Sequence, residues 1–105
     1  MPISQSSLLN SINGIKVNNF SASRRGHIIE FYMSLESTLD SIDTKTIFKI
    51  KSPYTPLVYS AFSIRGYNSP YKEIGTLWID ESGKAAFYGT ITLGTRFYLQ
   101  GLFVY

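Results

Sequence analysis

The sequence predicts an all-β domain, an antiparallel sandwich of jelly-roll type, with a small closed barrel as the second choice. Three observations carry this. Apolar and polar residues alternate with a period of two in several short runs, as they do in half-buried strands. Turn-forming clusters of Gly, Asn, Ser and Pro separate those runs every 8–14 residues, which is the spacing of sandwiches and barrels. Tyr, Phe and Trp make up 15% of the chain, and such side chains suit a pleated, half-buried surface. At 105 residues, with 44% hydrophobic and 16% charged residues, there is material for one core and too little for two.

In chain order, Met1–Ile12 reads as a linker or a short helical segment ahead of the domain. Leu8, Leu9 and Ile12 give Ser4–Ser11 a turn or two of helical pattern, too short to stand without tertiary help. The domain is expected to cover residues 13–105. Asn13-Gly14 is a turn signal, and Ile15, Val17 and Asn19 then alternate as a strand. Ser21 to Gly26 (SASRRG) reads as a polar hairpin loop. His27–Glu36 is the clearest strand, with Ile29, Phe31, Met33 and Leu35 inward and Ile28, Glu30, Tyr32, Ser34 and Glu36 outward. Ser37 to Thr46 is polar and low in β-propensity, a long loop that could fold over a sheet edge.

Ile47–Lys51 follows as a short strand. Pro53 and Pro56 then break the ladder, because proline cannot donate to it. Leu57–Arg65 is expected as a strand with Val58, Ser60, Phe62 and Ile64 on one face. Gly66 to Lys72 is an exposed loop presenting Tyr67, Asn68 and Tyr71. Glu73–Asp80 and Lys84–Leu93 form a hairpin through Asp80-Glu81-Ser82-Gly83, where the glycine suits a left-handed position. After Thr92-Leu93-Gly94 the last strand, Thr95–Tyr105, places Phe97, Leu99 and Phe103 opposite Arg96, Tyr98 and Gln100.

Composition excludes several function classes. With no cysteine there is no disulfide, thiolate metal site or thiol nucleophile. His27 is the single histidine, and the carboxylates do not cluster, so no metal or other cofactor is expected. Nucleophile-elbow and phosphate-cradling glycine patterns are absent, and the reading is of a non-enzyme. The net charge of +3 is spread along the chain, unlike the concentrated footprint of a nucleic-acid binder. No apolar run reaches the roughly 18 residues of a membrane-spanning helix, so no membrane insertion is expected. Met1–Leu9 lacks the basic start and apolar stretch of a secretory signal.

Binding is the expected activity. A sugar ring has an apolar C–H face and hydroxyl edges, so its sites pair aromatic faces with carboxylate, amide or Arg groups. Trp78, Thr76 and Asp80 share one face of their strand, Tyr88 lies on the next, and Arg96 follows. The plainer alternative makes Trp78 and Tyr88 packing residues. Ile28, Tyr32, Tyr98, Leu102 and Val104 leave two strands apolar on their outward sides, which points to a closed homo-oligomer.

The order of segments resembles the C-terminal receptor-binding heads of siphophage tail-tip and baseplate proteins, notably of phages infecting lactic-acid bacteria. The pieces are NGIKV (Asn13–Val17), GHIIEFYMSL (Gly26–Leu35), FKIKSPYTPLVYSAFSI (Phe48–Ile64), GTLWIDESGKAAFYGTI (Gly75–Ile91) and TRFYLQGLFVY (Thr95–Tyr105). Gly83, Phe87-Tyr88-Gly89 and Arg96 match features that recur near the end of those heads. The resemblance implies a trimeric β-sandwich head on the virion, facing the host and binding its cell-wall saccharide without catalysis. In the family a His and an Asp project before the glycine turn; Thr76 and Trp78 occupy those positions here. Trp78 would then supply the stacking face, with Tyr88 or Phe87 beside it and Arg96 as the hydroxyl clamp, while Asp80 and His27 are secondary candidates. Related small β domains of the upper baseplate bind protein, which makes a structural or adaptor module of a phage baseplate the competing expectation, ahead of a single-domain lectin.

Overall fold

A computed structural model describes residues 1–66 and 73–105. A short helix, α1 (Gln5–Leu8), precedes eight strands: β1 (Leu9–Asn10), β2 (Ile15–Arg25), β3 (Ile28–Ser37), β4 (Thr46–Ile50), β5 (Ser60–Gly66), β6 (Glu73–Ile79), β7 (Lys84–Gly89) and β8 (Arg96–Val104). All the strands belong to one antiparallel sheet in the order β1-β4-β7-β6-β5-β8-β3-β2, curled into a half-barrel. The all-β expectation holds, but one sheet stands where two packed sheets were expected. The cause is β5, which pairs with β6 on one side and with β8 on the other, carrying the ladder across what would be the gap between layers. Strand count and turn spacing do not encode that join.

The period-two patterns put the core on the inner face. Ile29, Phe31, Met33 and Leu35 of β3 are buried, as expected, with Phe97, Leu99 and Phe103 of β8 beside them. Phe62 and Ile64 of β5, Leu77 and Ile79 of β6, and Ala85 and Phe87 of β7 continue the layer. Each large side chain removed from water contributes about 1.5–3 kcal/mol, before the entropy of ordering it. In β4 a bulge between Thr46 and Phe48 turns two successive residues, Ile47 and Phe48, into the core.

Several expected boundaries move. Ser21–Arg25 is strand, not loop: every residue from Asn19 to Arg25 has a partner on β3, and the hairpin turn is only Gly26-His27. Gly26 has φ +60, the backbone that a two-residue turn requires at its first central position. The polar run is tolerated because β2 is the outermost strand and is wet on its outer side. β5 starts at Ser60, and Leu57–Tyr59 have no partner on β6; Val58, expected on one face with Phe62 and Ile64, is 64% exposed while those two are buried. The Ser37–Thr46 loop does fold over the sheet. It buries Ile42 completely, Thr44 donates its N–H to the carbonyl of Phe87, and the Gly89 N–H donates to Asp43 Oδ1 at 2.9 Å.

The N-terminal segment is part of the domain. Ile3, Leu8 and Leu9 are buried. The Ile3 N–H donates to Ala22 O on β2, and Leu9 pairs with Ile50 on β4. These ten residues thus bond to β2 at one edge of the curled sheet and supply β1, beside β4, as the other edge, and a linker reading does not describe them. Ser4 caps α1 by accepting from the Ser7 N–H.

Candidate functional site

The outward side chains of β6 form the centre of the site. Strand alternation sends Leu77 and Ile79 into the core and leaves Thr76 and Trp78 on the outer face. Register places Trp78 between Ala61 of β5 and Ala86 of β7. Two small neighbours leave room for the indole along the sheet, and it is half-buried. Tyr59, just before β5, stands with its ring centroid 5.0 Å from that of Trp78 at an interplanar angle of 46°. One register step away, Thr76 lies between Ser63 and Tyr88, and Tyr88 is 44% exposed. Three of the residues expected at the site, Thr76, Trp78 and Tyr88, are therefore neighbours. Together with Tyr59 they make an apolar aromatic surface bordered by hydroxyls.

The other expected residues lie elsewhere or are already engaged. Asp80 organises its turn: Oδ1 accepts from Ser82 N (3.0 Å), Ser82 Oγ (2.7 Å) and Lys84 N (2.9 Å). Burial pushes its carboxyl up, but the Ser82 hydroxyl, the two backbone N–H groups and the nearby Lys84 charge outweigh that and hold it below its ordinary value. Arg96 is two strands away from β6, on β8, in an exposed 3.3 Å ion pair with Glu36. It borders a separate cavity of about 140 Å³ with Asn18, Asn19 and Ser34. His27 sits at the β2–β3 turn, its ring 5.3 Å from that of Tyr105, which in turn meets Tyr54. Phe87, the alternative to Tyr88, is fully buried on the inner face. Tyr67, Asn68 and Tyr71 of the expected binding loop lie outside the described residues.

A second feature of the outer face was not visible in any single segment. β5 and β8 are paired only at Arg65–Tyr98 and Gly66–Phe97. Beyond that the ladder stops, and the segment ahead of β5 meets β8 where Leu57 N donates to Val104 O at 2.9 Å. The opening is a cavity of about 330 Å³ lined by Ala61, Ser63, Arg65, Tyr98 and Gln100, with Phe62 and Leu99 forming its floor. Phe62 lies against Gly101, where an added Cβ would fall 2.6 Å from the ring. A broader depression of about 610 Å³ adjoins it, bordered by Ser21, Ser23, Glu30, Tyr32, Gln100 and Leu102. Gln100 is common to both. Tyr32 and Tyr98 stack across the strands with centroids 6.1 Å apart. Tyr32 and Tyr98 were read from sequence only as oligomer contacts, and Gln100 was not singled out at all.

Among the described residues no three His, Cys, Asp or Glu side chains come together to hold a metal ion. No helix among them is long and apolar enough to cross a membrane. No protein-family model and no curated protein sequence matches the chain.

Proposed function

We propose that the domain is a phage host-recognition head that binds a cell-surface saccharide without catalysis. The observation carrying this reading is the Tyr59–Trp78 pair on the outer face, laid over Ala61 and Ala86 and bordered by Thr76, Ser63 and Tyr88. An aromatic surface of this kind takes the C–H face of a sugar, and the hydroxyls beside it both donate and accept towards the sugar's edges. The segment resemblance to siphophage receptor-binding heads supports the same reading and, with it, a position on the virion facing the host. In this reading the head is a homotrimer attached to other tail or baseplate proteins. Ile28, Leu57, Val58, Leu102 and Val104, all exposed, supply the apolar contact between copies. Weak sites repeated over many copies give firm adsorption through avidity.

The exposed apolar residues also favour a second reading, an adaptor module that docks on a neighbouring baseplate protein. One experiment separates the two. Labelled domain is added to host cells, alone and as Trp78→Ala. A saccharide head binds the cells and loses roughly five- to hundredfold in affinity on truncation, taking about 1–3 kcal/mol, as for bases stacked on aromatic side chains, for the lost face. An adaptor does not bind cells by itself. Cell binding that is the same for the wild type and Trp78→Ala would refute the site.

A further inference from the structure

The strand register lines up six side chains in a transverse row across the outer face. Tyr88 of β7 is opposite Thr76 of β6, and Thr76 is opposite Ser63 of β5. On the far side of the gap, Gln100 of β8 is opposite Tyr32 of β3, and Tyr32 is opposite Ser21 of β2. Ser63 and Gln100 face each other across the opening that both line, as antiparallel counting from Arg65–Tyr98 requires. Each of the six has at least one chain neighbour buried in the core, and all six carry a hydroxyl or an amide. None is charged. At about 4.8 Å per strand the row runs for roughly 24 Å, and more where β5 and β8 part.

We infer that this row holds an extended, neutral glycan of several sugar units, laid across the strands from Tyr88 to Ser21, with Gln100 at its centre. The inference rests on the saccharide-binding reading above and adds the ligand's length, charge class and direction. Each member carries a hydrogen-bonding group, and the Ser63 hydroxyl, which donates to Glu73 Oε2 at 3.4 Å, still has lone pairs to accept; such a row suits a polymer whose repeating groups donate and accept. The charges nearest the row argue against a polyanion. Glu73 and Arg65 oppose each other on one flank, Glu30 stands on the other, and Asp43 and Lys45 of the covering loop lie at the Tyr88 end, so no net positive charge borders the row. A nucleic acid or an anionic polymer would need cations there. A peptide strand would pair along an open edge, parallel to the strands and not across six of them. The row also passes over the two depressions, which give depth to its middle.

The test uses neutral polysaccharide stripped from Gram-positive host cell walls, cut by partial acid hydrolysis and separated by size. Affinity of the intact domain should rise with fragment length until about five units, the number of strand spacings in the row. Gln100→Ala should weaken the long fragments by roughly tenfold and leave mono- and disaccharides unchanged, because a lost hydrogen bond near the middle is felt only by a ligand that reaches it. Trp78→Ala should weaken all lengths. Short fragments binding as tightly as long ones, or long fragments indifferent to Gln100→Ala, overturn the inference while leaving the saccharide reading intact. Failure of the intact domain to bind the uncut polysaccharide overturns both.

Discussion

Replacing Gly101 by alanine tests how the two halves of the sheet are held where their hydrogen bonds stop. A Cβ on Gly101 would lie 2.6 Å from Phe62 Cδ1 and 2.8 Å from Cε1. Ordinary contact starts at 3.4 Å, so the ring must retreat by 3.4 − 2.6 = 0.8 Å. Phe62 is only 7% exposed, and its ring already meets that of Phe31 edge-on at 5.0 Å, while Phe31 in turn meets Phe103. The ring therefore cannot retreat without disturbing a second and a third. Overpacking of this kind costs about 1–3 kcal/mol. The smaller freedom of alanine in the unfolded chain returns about 0.4–1 kcal/mol. The net loss is on the order of 1–2 kcal/mol, which lowers the Tm of a domain this size by roughly 5–15 °C. Urea unfolding with matched calorimetry measures it. Phe62→Leu, which is costly alone, should recover part of the loss in the double variant, giving a coupling energy of about 0.5–2 kcal/mol. Gly101→Ala with an unchanged or raised urea midpoint would refute the account of the Phe62 ring as the spacer between β5 and β8.

Two further outcomes follow from the same physics. Leu8→Ala should cost about 2–5 kcal/mol, because Leu8 is 1% exposed in a segment that a linker reading would leave free; a loss under about 0.5 kcal/mol in urea unfolding would contradict its place in the core. Asp80→Asn should flatten the acid limb of stability. A carboxyl held below its ordinary value in the fold stabilises at pH above its unfolded pKa, and that contribution fades as pH falls through the lower folded value; unfolding curves between about pH 5 and pH 2 that coincide in shape for the two proteins would contradict the turn's dependence on the charge.

Much of the local structure was legible because period-two alternation is a property of one strand at a time. β3 reads directly from Ile29, Phe31, Met33 and Leu35, and the β6–β7 hairpin from Gly83, whose φ is +93. What failed depended on what a segment packs against and not on its own residues. Ser21–Arg25 is too polar to announce a strand, and only pairing with β3 makes it one. Ile42 looks like a stray apolar residue in a polar loop until the loop lies over β7. For the site, neighbouring strands joined by a short turn kept Thr76, Trp78 and Tyr88 together, so sequence reasoning found them. Arg96 was grouped with them by its closeness in the chain, yet β5 lies between β6 and β8 in the sheet. The transverse row was invisible for the same reason, since its middle joins residues 63, 100 and 32.

The place of β8 has a consequence for biosynthesis. It comes last of the strands in the chain, yet it lies between β5 and β3 in the sheet. While it is still inside the ribosome, the β2–β3 hairpin and the β5–β6–β7 meander can each form, but the strand that joins them is missing. Their inner faces, with Phe31 and Phe62 among them, would wait partly uncovered, and completion requires pairing over long sequence separations, which is slow. A nascent chain of this domain is thus two unfinished pieces until β8 emerges, and a product that stopped before Arg96 would be prone to aggregate.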